Sequence, residues 1–582
     1  MVETILTRAP TEGLALPADN TKKPKVDKAK VKARFRELFD KRQNYEKRWK
    51  SIRDYQLPHI GYFDDTADSS NAARRRDDKI YSGIAWESAQ IFASGVMSGL
   101  TPPSRQWFKF TFEDRELADN TQASAVLDER QEILTAILAK SNFYNAIHSV
   151  YTELPFGQCP LAIFPDSKTG VFFMPFTIGT YAIDINAQGE VNAFARKYKL
   201  SPVQMAEQFG EDNLPRNVKD ALKNNSSKYE KSFNVHWLVE PNRNSKEGKS
   251  RFDMPYMSLY WVEGSGDSEW LYVGGFHEWP VPTARYLVSG GEAYAKGPGW
   301  FAEGDAKMLQ ALAKDLLMSV ELGVKPPMQA TANAVRQGVN LIPGGATIVE
   351  DLSNPIVPLF NVNINVDHLR MTITDVENKI KRAYSADLFL MLDQLEKGQM
   401  TAREVMERSQ EKLSQLGPVV ERLQYEFLNP IIERVYSILD RAGIFPDFPD
   451  DLMEMLEDRE VKIEYVSPLA QAQKMSGLVN IEQAIAFTGQ MMQVWPEVVD
   501  KIDPLETVNR YFEMLGAPAT IRRSDEQVQE IQQARQEEQM QQQQMQQMIQ
   551  AAPAVEQATK AAENLTNAAN DGSPVIQQWL GM

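Results

Sequence analysis

The residue types that most often carry chemistry occur here without the spacing that a reaction needs. Glu247-Gly248-Lys249-Ser250 contains the Gly-Lys-Ser end of a phosphate-binding loop, but Arg243 stands five residues before Gly248, where that loop requires glycine. Four glycines between positions 290 and 299 precede a predicted helix and could cradle a phosphate, although loop geometry and helix entry explain them equally well. The sequence therefore predicts no nucleotide-binding motif.

Side chains that could bind a metal or attack a substrate are equally scattered. The histidines are His59, His148, His236, His277 and His368. They show no metal-ligand spacing, and Cys159 has no second cysteine with which to form a zinc site. Cys159 beside Pro160 is more typical of a small buried residue than of a nucleophile, and the pairs Asp64-Asp65 and Asp450-Asp451 lie in polar or Pro-rich loops typical of solvated surface. We expect no enzymatic activity, no metal and no cofactor.

Charge is unevenly distributed along the 582 residues, whose formal net charge is −16. Between Lys22 and Arg53 the sequence has 14 Lys or Arg against four acidic residues, a net of +10, so the remainder carries −26. This basic segment is either a DNA-binding arm or a solvated helix face preceded by a mobile tail, and we favour the second. Composition is that of a soluble globular protein, and neither a signal peptide nor a membrane span is predicted.

The first part of the chain alternates helices with short strands. After an extended arm of residues 1–32, apolar spacing predicts a helix that ends before Pro58, a helix over Ile84 to Met97 that stops at Gly99, and another over Ala123 to Ala139. Strand-like runs follow at GVFFMPF, VNAFARKYKL, FNVHWLV and MSLYWV. The predicted fold class is α+β, predominantly helical.

Long helical patterns dominate after residue 300. Asp305 to Leu322 places Met308, Leu309, Leu312, Leu316 and Val320 on one face, and Asp367 to Met391 repeats Leu369, Ile373, Val376, Ile380 and Leu388. The intervening segment contains a predicted hairpin at residues 338–350. Thr401-x-x-Glu404 forms a capping box for a helix that reaches Ala442 and should kink at Gly417 and Pro418. A strand-like VKIEYV follows. Gln527 to Gln550 has 13 glutamines in 24 residues and is predicted to be helical only among neighbouring copies.

Seven segments in one order carry a family resemblance. They are Arg48-Trp49-Lys50 with Tyr55 and Pro58, Ser94 to Phe108 (SGVMSGLTPPSRQWF), Ser141-Asn142-Phe143-Tyr144, Phe156-Gly157, Ala284-Arg285-Tyr286, Tyr294 to Gly299 (YAKGPG) and Met400 to Val405 (MTAREV). Over residues 33–520 the chain resembles the portal (head-to-tail connecting) proteins of short-tailed bacteriophages. The resemblance implies a closed ring of, usually, twelve subunits, each with wing, stem, clip and crown. The alternative is a structural virion or tail protein without a channel.

The resemblance also implies a domain order and partners. The expected order is arm 1–32, wing 33–300, stem helix 301–323, clip 324–366, stem helix 367–392, tunnel loop 393–400, wing 401–466, crown 467–525 and Gln-rich tail 526–582 with a barrel helix. Expected partners are further copies of the chain, double-stranded DNA in the channel, the terminase large subunit, scaffolding and major capsid proteins, and tail adaptors, with no membrane. Such a protein sits at the capsid portal vertex of the virion and assembles in the host cytoplasm.

Specific residues follow from the same resemblance. Gln394, Lys397 and Gln399 are expected to face DNA from the tunnel loop, where Lys397 is the single cation between Asp393 and Met400. Lys325, Arg336 and Gln337 are expected to contribute to terminase or adaptor docking on the clip. An acidic protein suits a channel through which a duplex must slide, because neutralising many phosphates would hold the DNA in place.

Overall fold

The computed structural model describes residues 26–63, 79–112, 121–224, 227–243, 245, 252–266, 269–329, 332–337, 357–358, 366–390, 416–446, 461–466, 484–491 and eight single positions beyond 491. The chain forms two compact units, Met1–Gln483 and Ala484–Met582. In the second unit, residues 484–491 are helical and expose the side chains of Ile485 and Phe487. The predicted arm before residue 26, the hairpin at 338–350, the tunnel loop, the Thr401 cap and the glutamine-rich segment except positions 531, 535 and 540 lie outside the described residues.

Helices occupy the positions that apolar spacing predicts. The main helices are α1 (Lys28–Tyr55), α2 (Ile84–Leu100), α3 (Thr121–Lys140), α4 (Phe143–Glu153), α5 (Pro202–Phe209), α6 (Arg216–Lys223), α7 (Glu303–Val324), α8 (Ala332–Gln337), α9 (Val366–Ala383) and α10 (Asn429–Arg441). Single helical turns form at Ser227–Glu230 and Pro298–Phe301. Asp27 caps α1 by accepting hydrogen bonds from the amides of Ala29 and Lys30. Helix α2 runs through Gly99 and ends one residue later than predicted.

In the part of the chain that the structure describes, strands form four antiparallel sheets. They are β1 (Phe108–Phe112), β2 (Gln158–Asp166), β3 (Gly170–Pro175), β4 (Tyr181–Ile185), β5 (Val191–Leu200), β6 (Phe233–Pro241), β7 (Tyr256–Val262), β8 (Tyr272–Phe276), β9 (Thr283–Arg285), β10 (Met328–Gln329), β11 (Val357–Pro358) and β12 (Val461–Tyr465). The largest sheet has the order β4-β5-β6-β7-β8, and a second has the order β3-β2-β9. The four strand-like runs predicted from sequence are confirmed as β3, β5, β6 and β7.

Two apolar clusters hold the first unit together. The smaller joins one face of α1 to the five-stranded sheet, where the ring of Phe35 lies 5.2 Å from that of Trp261, centroid to centroid. The larger includes residues of α2, α3, α4, the β1–β12 pair and the β3-β2-β9 sheet, and it contains the fully buried Trp49 and Trp107. Because successive strand residues point to opposite faces, the five-stranded sheet contributes to both clusters.

The strand predicted at VKIEYV has a distant partner. It forms β12 and pairs with β1, placing Phe108 opposite Tyr465. Trp107 immediately precedes β1, and its ring stacks over those of Phe143 and Tyr465 at centroid distances of 6.0 and 6.4 Å. The described part of the chain thus uses the Gln106-Trp107-Phe108 segment to tie two sequence-distant regions into one core.

Two of the predicted helices contain an irregular turn in the structure. The pattern from Asp367 to Met391 predicts one helix, but α9 ends at Ala383, and Ser385, at φ 52°, separates it from helical residues 386–390. This break was missed because neither glycine nor proline marks it. Residues 416–423, including Gly417 and Pro418, are helical, and a π-helical turn follows at Gln424–Leu428.

Candidate assembly interface

Helix α7 exposes an unusual amount of apolar side chain. From residue 311 to residue 325 no residue is buried, although Glu303, Ala306, Leu309 and Gln310 in its first turns are. The large exposed apolar side chains in this part of the helix are those of Leu317, Met318, Val320, Leu322 and Val324. At 1.5 Å per residue the helix is about 33 Å long. An apolar surface of this kind marks a contact with another molecule.

The predicted apolar face of α7 is divided by the structure. Leu309 is buried, and Leu312 packs against the core. Met308 is 41% exposed and lies about 100° around the helix from Leu309. Val320 lies only about 20° around the helix from Leu309, yet it is 47% exposed, because no residue from 311 to 325 is buried. The apolar side chains beyond Gln310 are therefore not buried within the chain, which leaves them for a contact with another molecule.

Helix α9 is the intramolecular partner of α7. Its residues Val376 and Ile380 are buried, as the predicted spacing requires, whereas Met371 is 68% exposed. The pair therefore resembles an antiparallel helical hairpin that is anchored at one end, with residues 324–366 joining the two helices at the other. Within that segment, Met328 pairs with Pro358 and Gln329 with Val357.

Glu303 anchors the start of α7. Its carboxylate accepts hydrogen bonds from Arg48 Nε at 2.7 Å, Ser51 Oγ at 2.7 Å and Lys307 Nζ at 2.6 Å. Burial alone would raise the pKa of Glu303, but the hydrogen bonds from Lys307, Ser51 and Arg48 lower it to about 2. Arg48 also lies over the Trp300 ring, 4.9 Å from its centroid. Helix α1 thus holds α7 through charged contacts.

A second anchor joins α7 to the segment that precedes α2. The side chain of Gln310 accepts hydrogen bonds from the amides of Tyr81 and Ser82 at 2.6 and 2.9 Å. Its own amide group donates to the carbonyl of Ser82 at 2.9 Å. Sequence analysis missed Gln310, since a single glutamine inside an amphipathic pattern carries no recognisable signal.

Close backbone packing explains two of the glycine-containing segments. A β-carbon at Gly157, where φ is 121°, would lie 2.0 Å from the carbonyl oxygen of Ala295. One at Gly297 would lie 2.1 Å from the carbonyl oxygen of Leu154. Only glycine fits at either position. The Phe156-Gly157 and YAKGPG segments therefore form one junction next to the start of α7.

A polar chain links this junction to α9. Gln56 donates from Nε2 to the carbonyl of Gly299 at 2.9 Å, and Tyr384 donates its hydroxyl proton to Gln56 Oε1 at 2.7 Å. Both side chains are buried, so these bonds are shielded from water. The ends of α1, α7 and α9 are consequently fixed to one another.

The π-helical turn positions a buried ion pair. Arg285, which is 1% exposed, donates from Nε to Glu426 Oε2 at 2.7 Å and from Nη2 to the carbonyl of Gly189 at 2.6 Å. Glu426 lies within the π-helical turn and also accepts from Arg422 at 3.1 Å. This contact accounts for the arginine of the Ala284-Arg285-Tyr286 segment.

The predicted site residues have different positions. Lys325 directly follows α7 and is exposed, and Arg336 is exposed on α8; of Gln337 only the backbone is described. Gln394, Lys397 and Gln399 lie outside the described residues. Gly417 and Pro418 lie in the helical segment before the π-helical turn. The roles assigned to these residues therefore stay predictions.

The basic residues of α1 have acidic partners. Lys41 and Arg34 both pair with Asp184 at 2.9 Å, and Arg42 pairs with Glu46. These pairs favour the interpretation of α1 as an ordinary charged helix face for the portion from residue 26 onward.

Cys159 is a free thiol buried in β2, and burial raises its pKa well above the ordinary value. Among the described residues no group of three or more His, Cys, Asp or Glu could hold a metal ion. Likewise, no helix in the described ranges is long and apolar enough to cross a membrane.

The chain matches the family model described as "Bacteriophage head to tail connecting protein" over residues 28–522. It is similar to the "Portal protein" of Salmonella phage epsilon15, with 33% identity over 509 residues that cover 87% of this chain and 90% of the relative. It is also similar to the "Probable portal protein" of Bordetella phage BPP-1, with 32% identity over 490 residues, or 83% and 86% of the two chains. The family match includes every anchoring contact described above.

Proposed function

We propose that this chain, which belongs to the bacteriophage head to tail connecting protein family, is the portal subunit of a phage head. Copies of it form a closed ring at one capsid vertex. The genome enters and leaves through the centre of the ring, and the ring is the docking platform for the packaging terminase and the tail adaptors. The family is structural, so the hydrolysis that drives packaging belongs to a separate motor.

The exposed apolar surface of α7 is the observation that carries the ring assignment. Leu317, Met318 and Val324 are 58%, 49% and 73% exposed in the single chain, on a helix whose second half has no buried residue. Neighbouring copies cover these side chains when they close into a ring. Cyclic symmetry requires a heterologous contact, so α7 of one copy meets a different surface of the next.

The helical hairpin supports the proposed stem and clip. Helices α7 and α9 correspond to stem residues 301–323 and 367–392, and the β10–β11 pair lies within clip residues 324–366. Lys325 and Arg336 on this segment are proposed docking contacts for terminase or adaptor proteins, together with Gln337. The wing, residues 33–300 and 401–466, contains the five-stranded sheet and the junction that fixes the stem.

The tunnel loop, residues 393–400, completes the proposed channel. It follows residues 386–390, whose Leu388 and Phe389 are buried against the core, so the loop starts from a fixed point. Lys397 is proposed to form a ring of single cations, flanked by Gln394 and Gln399. A net charge of −16 keeps the channel from neutralising many phosphates, which would stop the duplex from sliding.

Sedimentation velocity of the purified full chain tests this assignment. The wild type should sediment as one large closed species, and the variant Leu317→Asp/Val324→Asp should shift it towards single chains while circular dichroism stays unchanged. Lys314→Asp, on the same helix but outside the apolar set, is the matched control and should leave the large species intact. A structural virion protein without a channel is the second candidate; a wild type that assembles only as open or irregular polymers would favour it.

A further inference from the structure

In the described part of the chain, every arginine that is not exposed has a carboxylate partner, except Arg196. The pairs of the buried arginines are Arg42–Glu46, Arg53–Asp54, Arg130–Asp440, Arg285–Glu426 and Arg434–Glu278. Arg196 of β5 is partly buried and, among the described residues, has no carboxylate within 4 Å. Burial lowers the pKa of its guanidinium, as expected for a cation removed from water without a counter-ion.

Two aromatic rings lie against the Arg196 guanidinium. Its Cζ atom lies 4.5 Å from the centroid of the Phe176 ring and 4.4 Å from that of Tyr198. The register of the sheet places Tyr181 of β4 and Trp237 of β6 directly opposite Arg196 on either side. Such rings attract a cation through their faces, so they stabilise the charge. They accept no hydrogen bond from the edge of the guanidinium, where its donors point.

Two of the hydrogen-bond donors of Arg196 lack a good acceptor. Nη1 contacts the sulfur of Met174 at 3.4 Å, and a thioether is a weak acceptor. Nε is buried and has no hydrogen-bond partner. An unmet donor on a buried charged group is costly. Because Arg196 is partly exposed, a group from outside the chain can approach its side chain.

We propose that Arg196 binds a carboxylate of the neighbouring copy when the ring closes. This inference rests on the proposed function, because it needs a ring. A guanidinium presents parallel N–H donors in one plane, which matches the two oxygens of a carboxylate. The chain itself has 79 acidic against 63 basic residues, and a ring offers the same neighbouring surface to every Arg196.

Subunit association of the full chain measures this contact. Arg196→Met keeps the apolar stem of the side chain between the two rings and removes the charge, and it should weaken ring association at least about tenfold. Arg216→Met, at the exposed start of α6, is the matched control and should leave association unchanged. The thermal unfolding midpoint of the dissociated Arg196→Met chain should not fall, since that variant removes an unpaired cation. Ring association of Arg196→Lys should be intermediate between that of the wild type and that of Arg196→Met, because lysine keeps the charge but lacks the planar guanidinium.

The remaining outcomes separate this contact from the ring itself. If the wild type closes into rings and Arg196→Met associates equally tightly, the proposed contact is wrong while the portal assignment stands. If Arg196→Met forms rings as tightly as the wild type but binds duplex DNA more weakly than Arg216→Met does, the ligand of Arg196 is a phosphate. The proposal of a carboxylate ligand is then wrong. If the wild type makes no ring, both proposals fail together.

Discussion

Gly95 on α2 and Phe389 beyond α9 are packed so closely that a β-carbon at Gly95 would lie 2.2 Å from Cγ of the phenylalanine ring and 2.4 Å from its Cβ. The Phe389 ring also meets Phe92, one helical turn earlier, at a centroid distance of 5.7 Å. This contact explains the first glycine of the SGVMSGLTPPSRQWF segment. It also fixes the residues that lead into the proposed tunnel loop.

Gly95→Ala should therefore destabilise the protein, although alanine is the better helix former. The clash involves the root of the Phe389 side chain, which cannot swing away, so we expect a loss of about 1–3 kcal/mol in the free energy of unfolding. Gly304→Ala is the control, because Gly304 lies in α7 with nothing within 4 Å of the added carbon. It should be neutral or stabilise by up to about 1 kcal/mol. Chemical denaturation measures both; equal stabilities would contradict the packing described.

Gly157→Ala tests the junction between the Phe156-Gly157 and YAKGPG segments. The substitution would place a carbon 2.0 Å from the backbone oxygen of Ala295, and backbone cannot move aside as a side chain can. Gly189→Ala shares a positive φ, 88°, but meets nothing within 4 Å. We expect Gly189→Ala to cost about 1–2 kcal/mol from backbone strain alone. Gly157→Ala should cost distinctly more or prevent folding, as measured by soluble yield and thermal unfolding.

The lowered pKa of Glu303 predicts that the protein loses stability in acid. The folded-state pKa of about 2 lies below the ordinary value of 4.5, so the folded state binds this proton less tightly than the unfolded state. Its contribution is fully present above about pH 4.5 and is lost as the pH falls towards 2. Glu303→Gln should lose less stability than the wild type across this window.

Asp305→Asn is the matched control for Glu303. It lies on the same helix and makes none of the contacts with Arg48, Ser51 or Lys307. For this control, the free energy of unfolding should change between pH 5 and pH 2 by the same amount as it does for the wild type. A Glu303→Gln variant with the same acid profile as the wild type would show that the three hydrogen bonds do not lower the pKa.

The proposed tunnel loop is tested by deletion. Replacing Gln394 to Gln399 with a short glycine bridge should leave rings and empty capsids normal but reduce the DNA packaged or retained. Lys397→Glu should act in the same direction more mildly, with a salt-dependent defect because the contact is electrostatic. Packaged DNA length from purified particles is the measurement. Particles with the deletion variant that hold a full genome would show that the assignment of residues 393–400 as the tunnel loop is wrong.

Sequence patterns predicted local structure better than contacts between distant segments. Helical spacing predicted α1, α3 and α7 within a few residues, and alternating apolar residues predicted β3, β5, β6 and β7. The pairing of β12 with β1 was not predictable, because the partners are separated by some 350 residues and the short strands fit many partners.

The candidate interface was only partly visible in the sequence. Periodicity indicated an apolar α7, yet it did not indicate that Leu309 and Leu312 pack in the core while Met308 and Val320 stay exposed. Gln310, Gln56 and Glu303 act through side-chain hydrogen bonds that no local pattern marks. Family segments indicated the glycines at 157 and 297, whereas their physical reason, contact with distant carbonyl groups, required coordinates.

Electron microscopy of the purified full-length chain, without DNA or other phage proteins, tests the central claim most directly. The account predicts closed annular particles of uniform subunit number with a central channel, seen end-on as rings and side-on with a projecting stem. Single chains or open polymers at every concentration tested, with no annulus in any projection, would contradict the assignment of this chain as a portal subunit.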